Sequence, residues 1–498
     1  MARREVRSHR VPGAEYDLVV LGGGTAGLVA AVIAGEVGAR VALVERAATG
    51  GDCLWTGCVP SKALIAAADL AERFRRADRV GLEPVEPRID FARVMGHVRG
   101  ARERIAPHDS PDRLRRSGVE VVEADGRFTG SGLISAGGRS LSARRVLIAT
   151  GSRPLVPDVP GLAASAPLTT DTVWDIEEQP ERLLVIGGAA TGCELAQAFA
   201  RLGSEVTLVE AGPSLLSGEE PEARELVARR LAEEGVDVRL DARATSVESG
   251  QVHLEARAGA QGGRPASALS RVPFDRILVA AGRAPDTDSL DLEAAGVELE
   301  PGGAVRVDRR LRTSAPGVYA AGDVTGQLAF THVAAYHARV AVVNALFGLR
   351  RRVDHRAVPW VTFTDPEVAR VGLSEADARE RWGRRAGVDV SSYAELDRAI
   401  VAGGSEGFAK LVSDPRGRLV GATIAAPSAG EAVAELAARV ASGGTVAGLS
   451  EAVHAYPTFA EGPVRAAEAR ALGRWTTFPA RALTRSVLAA FRVLDRTG

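Results

Sequence analysis

Two segments of this 498-residue chain repeat one pattern. In each, an apolar strand enters a glycine-rich turn that opens a helix, and a second apolar strand then ends at a glutamate. The first copy contains VVLGGGTAG and ends at Glu45; the second contains VIGGAATG and ends at Glu210. A strand, turn and helix of this kind bind the phosphates of a dinucleotide at the start of the helix. The pattern therefore predicts an α/β fold with two dinucleotide sites.

The first turn has the three glycines that such a site requires. Gly22 permits the tight turn, Gly24 lets a pyrophosphate approach the backbone, and Gly27 lets the helix pack closely against the strand. Glu45 is expected to accept hydrogen bonds from a ribose. The motif is a strong signal here because strand, helix and acid all lie at the expected spacing.

The second turn departs from the motif at one position. Gly187, Gly188 and Gly192 are present, but Ala189 replaces the glycine at the point where a phosphate comes closest. Glu210 is expected to repel a 2′-phosphate, and no arginine follows it closely. These residues favour NADH over NADPH as the second nucleotide.

Two cysteines lie directly behind the first unit. The segment GGDCLWTGCVPSK, from Gly50 to Lys62, places Cys53 and Cys58 five positions apart. A thiol pair this close to a dinucleotide site is placed to exchange electrons with it, so we predict a redox enzyme. With Cys193 the chain has three cysteines, too few for a disulfide-stapled secreted fold or a zinc site of four thiolates, and no metal site is expected.

Lysine is almost absent from the chain. Of 62 basic residues only Lys62 and Lys410 are lysine, and the rest are arginine. The compact ammonium of lysine and the planar guanidinium of arginine are not interchangeable where geometry matters. The lysine beside the cysteine pair is therefore predicted to be functional.

The amino-acid composition excludes several classes of protein. Hydrophobic residues make up 46% and charged residues 25%, as in ordinary globular proteins, and the net charge of −1 gives no general attraction to nucleic acid. No apolar run approaches the ~18 residues of a membrane span. The basic first segment, MARREVRSHRVPG, lacks the apolar core of a secretory signal. We expect a cytoplasmic protein of about three domains, with a disordered arm at residues 1–14.

Domain boundaries follow from repeated connectors. The apolar strands Val146–Gly151 and Leu278–Gly282 each end in glycine and are followed by an arginine and a proline. They are interpreted as the crossings into and out of an inserted domain. We therefore expect the first nucleotide-binding domain at 15–155 and 281–350, and the second at 156–280.

The pattern changes after residue 350. Residues 351–475 are predicted to form an α+β domain, with strands at Trp360–Phe363, Gly407–Val412 and Leu419–Ile424 and helices at Glu431–Ser442 and Pro463–Leu472. Residues 476–498 form a C-terminal extension in which Val487, Leu488, Phe491 and Leu494 lie at helical spacing, between arginines. This extension is expected to pack on its own subunit or a partner subunit, or to contact a membrane surface.

These motifs, together with TSAPGVYAAGD (313–323) and HAYPTFAEG (454–462), resemble the FAD-dependent pyridine nucleotide-disulfide oxidoreductases, over residues 15–475. That family includes dihydrolipoamide dehydrogenase, glutathione reductase and mercuric reductase. The resemblance implies two Rossmann-like domains, for FAD and NAD(P), and a C-terminal α+β dimerisation domain. It also implies a homodimer with an active site across the subunit interface.

The resemblance assigns roles to the residues around the thiols. Cys53 corresponds to the interchange thiol that attacks substrate, and Cys58 to the thiol against the flavin. Lys62 corresponds to the lysine near flavin N5, and Glu194 to its ion-pair partner. Because both cysteines lie near the start of a helix expected from Val59, its dipole is expected to lower both thiol pKa values. The remaining cysteine is interpreted as a packing residue.

Further cofactor contacts are implied in the same way. Asp323 corresponds to the aspartate that binds the flavin ribityl chain. Thr331 and His332 open a helix whose N-terminus is expected to face the flavin, with the histidine in a structural role. The other implied contacts are at Gly51, Thr150, Gly151 and Gly282.

One position departs from the disulfide reductases. Where they have a histidine base directly before Pro-Thr, oriented by a glutamate, this chain has Tyr456, while the glutamate remains as Glu461. A phenol with a pKa near ~10 is a poor base at neutral pH, and His454 is an alternative base. Trp55 stands where the family commonly has asparagine, and is expected to narrow access or to stack on substrate.

Tyrosine at position 456 resembles mercuric reductase. We therefore expect electrons to pass to a metal ion or a small disulfide, although no cysteine pair follows Gly462. A dihydrolipoamide dehydrogenase that reduces NAD+ is one alternative. A non-catalytic flavoprotein that binds a partner or a membrane is another.

Overall fold

The computed structural model describes residues 13–256, 270–476 and 478–494. The expected arm at 1–14 therefore lies outside the described residues, apart from Gly13 and Ala14. The chain divides into two compact units. The first contains residues up to 71, 88–213 and 235–354, and the second contains 72–87, 214–234 and the chain from 355 onwards.

The chain as far as Ile148 contains the first βαβ unit and the cysteine helices. Its elements are β1 (Leu18–Leu21), α1 (Thr25–Glu36), β2 (Val41–Glu45), α2 (Gly51–Trp55), α3 (Cys58–Arg75), α4 (Phe91–Ile105), α5 (Pro111–Arg116), β3 (Val119–Glu123), β4 (Gly126–Gly130), β5 (Leu133–Ala136), β6 (Arg139–Ser142) and β7 (Val146–Ile148).

The second βαβ unit follows. The elements up to Phe347 are β8 (Ser152–Pro154), β9 (Leu168–Thr169), β10 (Arg182–Ile186), α6 (Ala190–Arg201), β11 (Glu205–Val209), α7 (Pro221–Glu233), β12 (Asp237–Arg239), β13 (Ala242–Glu248), β14 (Gln251–Ala256), β15 (Ser270–Pro273), β16 (Arg276–Val279), β17 (Arg283–Pro285), β18 (Val318–Ala320) and α8 (Thr331–Phe347).

The two nucleotide-binding sheets are copies of one design. The first is a five-stranded parallel sheet in the order β18-β7-β1-β2-β3, and the second has the order β9-β16-β10-β11-β12. Each also has an antiparallel three-stranded sheet, β4-β5-β6 in one copy and β13-β14-β15 in the other. The duplication predicted for one βαβ unit therefore extends over both domains, and the predicted pair of Rossmann-like folds is confirmed.

Alternation along β1 explains how the first sheet is buried on both faces. Leu18 and Val20 pack in a core with the alanine-rich helices α1 and α8, whereas Val19 and Leu21 pack in a second core with the antiparallel sheet. Strand residues on both faces are apolar because a parallel sheet of this kind is covered on both sides. The carboxyl ends of β1 and β10 are left to carry the glycine turns.

The second unit contains the predicted α+β domain. Its elements after residue 355 are β19 (Pro359–Thr362), β20 (Glu367–Gly372), α9 (Glu375–Trp382), β21 (Gly387–Ser392), α10 (Asp397–Val401), β22 (Phe408–Ser413), β23 (Leu419–Ala426), α11 (Ala429–Ser442), α12 (Val446–Glu451), α13 (Glu461–Thr476) and α14 (Phe478–Leu494). The strands form one antiparallel sheet in the order β19-β20-β23-β22-β21. Helix α7 also belongs to this unit. Within the described ranges, no helix is long and apolar enough to cross a membrane.

Candidate active site

Both glycine turns have the same tight backbone. Gly22 has a φ of 102° and Gly187 a φ of 114°, which side chains rarely tolerate. A Cβ on Gly27 would collide with the carbonyl oxygen of Gly22, and a Cβ on Gly192 would collide with that of Gly187. The glycines that the motif requires are therefore demanded by the turn itself in both copies.

The alanine in the second turn adopts the glycine conformation of the first. Gly24 has φ −77° and ψ −173°, and Ala189 has φ −78° and ψ −178°, so each begins its helix in an extended conformation open to any residue. Gly51 needs to be small, because a Cβ there would lie 2.6 Å from the Cα of Gly24. At this position the two turns thus differ by one methyl group and have the same backbone conformation.

The glutamate at the end of each second strand closes its own turn. Glu45 accepts hydrogen bonds from the backbone of Gly23 at 2.5 Å and Ala47 at 2.7 Å. Glu210 accepts from Gly188 and Gly212, both at 2.7 Å. Each carboxylate keeps lone pairs for a ribose, but it also fixes the loop that a ribose would contact.

The starts of α1 and α6 fit the phosphates of a dinucleotide. Among the described residues, no side chain caps either helix, and neither first turn contains an acidic residue. Uncapped backbone N–H groups with a positive dipole end form an anion site. The chain thus has two such anion sites, one in each copy of the repeated unit.

The two cysteines meet at the start of a helix. Cys53 lies on α2 and Cys58 is the first residue of α3, one residue before the predicted start. They are free thiols, hydrogen-bonded to each other, with Cys53 half-buried and Cys58 exposed. Cys58 Sγ also lies 3.3 Å from the hydroxyl of Thr331, the first residue of α8. The N-termini of α3 and α8 therefore converge on one sulfur.

The two thiols differ in acidity. The hydrogen bond from Cys53 lowers the pKa of Cys58 to about 6, against the effect of burial and with help from Thr331 and the charge of Lys62. The same hydrogen bond, together with burial, raises the pKa of Cys53. The expectation that both pKa values are lowered is wrong for Cys53, because it supplies the proton that stabilises the other sulfur. Cys58 is thus the thiolate of the pair at neutral pH.

Helices α3 and α6 are joined by two ion pairs. Lys62 donates to Glu194 at 2.8 Å, the pairing that the resemblance implies, and Glu194 is buried. Seven residues further along each helix, the buried Arg201 donates to Asp69 at 2.6 Å. In one ion pair the cation lies on α3, and in the other it lies on α6. Together the two pairs fix the position of Lys62 relative to Cys58. Cys193 is fully buried and its pKa is raised by burial, in keeping with a packing residue.

A hydrogen-bond network that sequence reasoning missed connects the cysteine loop to Asp323. Arg283, on β17, donates to the carboxylate of Asp52, to the Ser152 hydroxyl at 2.8 Å and to Thr170 at 3.1 Å. The Ser152 hydroxyl in turn donates to Asp323 at 2.9 Å. The arginine after the strand-ending glycine was visible in the sequence, but its partners are remote along the chain.

Gly151 and Gly282 each lie three residues beyond the end of a strand, after β7 and β16 respectively, so the strand ends predicted at these glycines are corrected to Ile148 and Val279. Gly151 accepts a hydrogen bond from the backbone of Asp286, and Gly282 accepts one from Leu155. The hydroxyl of Thr150 donates to the Asp286 carbonyl at 2.7 Å. The three residues thus hold the two crossings between the nucleotide-binding sheets side by side.

Arg283→Met is expected to destabilise the first unit by about 2 kcal/mol, because several charge-assisted hydrogen bonds are lost and Asp52 is left unpaired. Arg153→Met is the matched control: its guanidinium is half exposed and pairs with the exposed Asp288 at 2.8 Å, so its loss should cost less than about 1 kcal/mol. Urea unfolding measures both. Equal losses in the two variants contradict the network.

The tryptophan in the cysteine loop has a structural role in this chain. The indole N–H of Trp55 donates to the Thr49 carbonyl at 2.9 Å, and Arg102 donates to the Trp55 carbonyl. Trp174, which is almost fully buried, donates to the Thr56 carbonyl at 2.8 Å. Both indoles thereby hold the loop between the cysteines, a role that the sequence analysis did not assign.

Tyr456 lies in the second unit and is largely exposed. Its hydroxyl donates to Asp397 at 2.8 Å, and this hydrogen bond raises the pKa of the phenol. Glu461 accepts from the backbone N–H of Thr458 at 2.9 Å. His454 contacts Glu435 at 2.9 Å. Within one chain, therefore, Glu461 orients neither Tyr456 nor His454.

A groove of about 840 Å³ runs beside these residues, lined by Ala452, Val453, His454, Glu461, Arg465 and Glu468 among others. Val453 at its edge is fully exposed, and Leu472 is 65% exposed. Apolar side chains left in water next to a groove are typical of a protein contact surface.

Comparison with known proteins identifies the class. Residues 16–338 match the family model described as pyridine nucleotide-disulphide oxidoreductase, and residues 358–467 match the dimerisation domain of the same family. The chain is 38% identical to a dihydrolipoyl dehydrogenase of Thermus scotoductus, over 91% of this chain and 97% of that protein. It is 35% identical to a mercuric reductase of Lysinibacillus sphaericus, over 90% and 81% respectively.

A solved structure has the same fold. It is a Cu(II) complex of the HOCl-induced flavoprotein disulfide reductase RclA from Escherichia coli, with a TM-score of 0.79 and 27% identity, over 91% of this chain and 99% of that chain. The protein therefore belongs to the pyridine nucleotide-disulphide oxidoreductase family. It is an FAD-dependent oxidoreductase that uses NAD(P)H, and its dimerisation domain indicates a homodimer.

Proposed function

We propose that the protein carries electrons from NAD(P)H, through FAD and the Cys53–Cys58 pair, to a metal ion or a small disulfide. The observation that carries the proposal is the placement of the thiol pair at the N-termini of α3 and α8, with Cys58 Sγ 3.3 Å from the Thr331 hydroxyl and hydrogen-bonded to Cys53. When bound, FAD would supply the transfer of two reducing equivalents from NAD(P)H to the disulfide of Cys53 and Cys58. Asp323 and the N-termini of α1 and α8 are the groups proposed to hold it.

Each residue of the site has a proposed task. Cys58, beside Lys62 and Thr331, carries the thiolate on the flavin side. The ammonium of Lys62 stabilises negative charge in the site, and Glu194 keeps this ammonium in position through an ion pair of 2.8 Å. Cys53 is the thiol that attacks the acceptor.

The proposed reaction consists of two half-reactions. First, NAD(P)H and one proton reduce the Cys53–Cys58 disulfide to two thiols, giving NAD(P)+. With a small disulfide, the Cys53 thiolate then attacks one sulfur and releases one thiol. Cys58 displaces the second thiol and the intramolecular disulfide re-forms. With metal ions, the dithiol gives up two electrons and two protons, which suffices for one Hg²⁺ or two Cu²⁺.

Tyr456 supports the metal-ion acceptor over an organic disulfide. Disulfide exchange needs a base that takes and returns the proton of the attacking thiol. The phenol is a hydrogen-bond donor to Asp397 and its pKa is raised, so even less of it is phenolate at neutral pH than of an ordinary tyrosine. The mercuric reductase among the relatives and the Cu(II) complex among the similar structures are consistent with this acceptor class.

Steady-state assays with Hg²⁺, Cu²⁺, lipoamide and glutathione disulfide test the proposal. The expected result is NADH oxidation that depends on both cysteines and is faster with a metal ion than with either disulfide. Fast turnover of lipoamide contradicts the preference for a metal ion that is argued from Tyr456. That outcome supports the second candidate, a dihydrolipoamide dehydrogenase, which the 38% identity to the Thermus scotoductus protein favours.

Tyr456→His is expected to raise disulfide reduction by about a hundredfold, because a positioned imidazole near its ordinary pKa contributes about 10²–10⁴ to proton transfer. Metal-ion reduction should change less than threefold. Tyr456→Phe is the matched control, since it removes the hydroxyl without adding a base. No gain in the histidine variant contradicts the proposed role of this position.

Three finer points belong to the proposal. The active site is completed across the homodimer, through the surface around Val453, Tyr456 and Leu472, which is exposed in the single chain. NADH is preferred over NADPH, because Glu210 places a negative charge where a 2′-phosphate would lie. The reaction takes place in the cytoplasm, where thiols are kept reduced.

A further inference from the structure

Helix α14 has two faces of opposite character. At 3.6 residues per turn, Arg481, Arg485 and Arg492 fall within an arc of about 40°. Leu483, Val487 and Phe491 lie on the other side of the helix, and Leu488 lies at the border between Phe491 and the arginines. The extension is therefore an amphipathic helix whose polar face is cationic.

Within the part of the chain that the structure describes, the apolar face of α14 is left exposed. Leu483 is 68% exposed, Val487 45% and Phe491 58%. These three side chains follow each other at intervals of four residues, about one turn, so they form one continuous apolar strip about 12 Å long. These side chains therefore do not pack on their own subunit, whereas packing on a partner subunit and contact with a membrane surface stay predictions. Exposed strips of this kind mark contact surfaces.

Charge in this part of the chain is strongly segregated. Between Glu468 and Asp495 the sequence contains five arginines and no acidic residue, although the whole chain has a net charge of −1. The two regions matched to the family models end at residues 338 and 467, before α14 begins. The cationic amphipathic helix is thus an addition to the part of the chain that defines the family.

We propose that α14 binds the surface of a bilayer that contains anionic lipids. Leu483, Val487 and Phe491 enter the boundary between headgroups and acyl chains, and the arginine face lies toward the anionic headgroups and water. Membrane contact was one of the roles open for the extension on sequence grounds. The exposed strip and the absence of acidic residues now define the contact and its lipid class.

A second copy of the chain is a poorer occupant of this surface. Its own α14 brings the same arginines and no carboxylate to neutralise them. Three large apolar side chains per copy also bury far less than the ~1,000 Å² expected of a stable interface. An anionic lipid surface satisfies both the apolar strip and the charge.

Flotation of the FAD-loaded protein with vesicles tests the proposal. Vesicles of 60% phosphatidylcholine and 40% phosphatidylglycerol are expected to carry the protein at low salt, and phosphatidylcholine vesicles are not. Arg481→Gln, Arg485→Gln, Arg492→Gln in one variant should weaken binding by about a hundredfold, since each arginine near an anionic surface is worth about fivefold. Phe491→Asp should abolish it.

Matched controls separate this contact from general charge and from misfolding. Arg384→Gln, Arg385→Gln, Arg416→Gln makes the same charge change at exposed arginines elsewhere in the second unit and should leave flotation unchanged. NADH oxidation in solution should be equal in all variants, because α14 takes no part in the proposed reaction. Equal binding to both vesicle types, or none, overturns the proposal. So does a change of oligomeric state, seen by light scattering, on Phe491→Asp.

Discussion

Cys58→Ser is expected to lower turnover with every acceptor by more than about a thousandfold, because a hydroxyl neither ionises at neutral pH nor forms the disulfide with Cys53. Cys53→Ser should show the same loss. Cys193→Ala is the matched control, since this thiol is fully buried and its pKa is raised, so turnover should change less than twofold. NADH-dependent acceptor reduction measures all three. Retained activity in either of the first two variants would mean that electrons bypass the pair.

The pH dependence of Cys58 alkylation tests whether the hydrogen bond from Cys53 lowers the pKa of Cys58. In the reduced protein, the rate of Cys58 modification by iodoacetamide should reach half its maximum near pH 6, because the thiolate is the nucleophile and its pKa is lowered to about 6. In Cys53→Ala the main hydrogen bond to that thiolate is lost. The midpoint should therefore move up toward the ~8.5 of a free cysteine. An unchanged midpoint would show that the helix ends and Lys62 suffice without Cys53.

Lys410→Met is expected to destabilise the second unit by about 3 kcal/mol, because it leaves one buried carboxylate, that of Glu220, without its counter-charge. Lys410 is 3% exposed on β22, and its ammonium contacts Glu222 at 2.7 Å, Glu375 at 2.9 Å and Glu220 at 3.2 Å. Glu220 is equally buried and directly precedes α7. Burial alone would lower the pKa of this lysine, but the three glutamates outweigh burial and raise it.

Arg379→Met is the matched control for this cluster. It removes a second cation from Glu375, at 2.7 Å, but its guanidinium is about half exposed, so the loss should stay below about 1 kcal/mol. Urea unfolding followed by tryptophan fluorescence reports on both variants, since the Trp360 indole donates to Glu219, the residue next to Glu220. Equal midpoints for Lys410→Met and the wild type would contradict a stabilising role.

The same cluster predicts a pH dependence. Burial raises the pKa of Glu375, but hydrogen bonds from Lys410 and Arg379 outweigh it and leave the pKa lowered. A carboxylate of lowered pKa stabilises the fold above its unfolded value near ~4.3, and that contribution is lost only as the pH falls through the folded value. In Lys410→Met the carboxylates repel each other and bind protons more readily. The difference in the free energy of unfolding between wild type and Lys410→Met should therefore shrink as the pH falls from 7 to 5.

The repeated unit could be predicted because its signals are local. The apolar strands, the glycine turns and the helix starts lie within about 25 residues of each other, and the structure has β1, α1 and β2 beside β10, α6 and β11 in the same arrangement. The small antiparallel sheets of each copy were missed. Their strands alternate exposed and buried residues over short stretches, as in β4 with Phe128 buried between exposed neighbours, and they carry few apolar residues.

The third domain shows the same limit. Strands β19, β22 and β23 were predicted from apolar runs, whereas β20 and β21 were not. In β20 a polar residue, Arg370, lies inside the apolar run and is buried because its guanidinium stacks on Trp360 at 5.1 Å. Arg370 can be buried in β20 because Trp360 lies beside it on β19. The sequence of β20 alone does not indicate this contact.

In the candidate site, the motifs were sufficient to predict which residues take part. They did not predict the pKa values of the two thiols. Cys53 and Cys58 follow one motif, yet their pKa values shift in opposite directions because one sulfur donates to the other. The rarity of lysine was informative for Lys62 and applied equally to Lys410. Three carboxylates converge on that second ammonium, which has three donors to match them.

Counting alkylated thiols before and after reduction tests most directly whether the cysteine pair takes up the electrons of NADH. The FAD-loaded protein, purified in air, is denatured and alkylated with or without prior anaerobic treatment with one equivalent of NADH per chain. Mass spectrometry should find one labelled cysteine, Cys193, before reduction, and all three after it. Three labels before NADH, or one label after it, would contradict a disulfide between Cys53 and Cys58 that the nucleotide reduces.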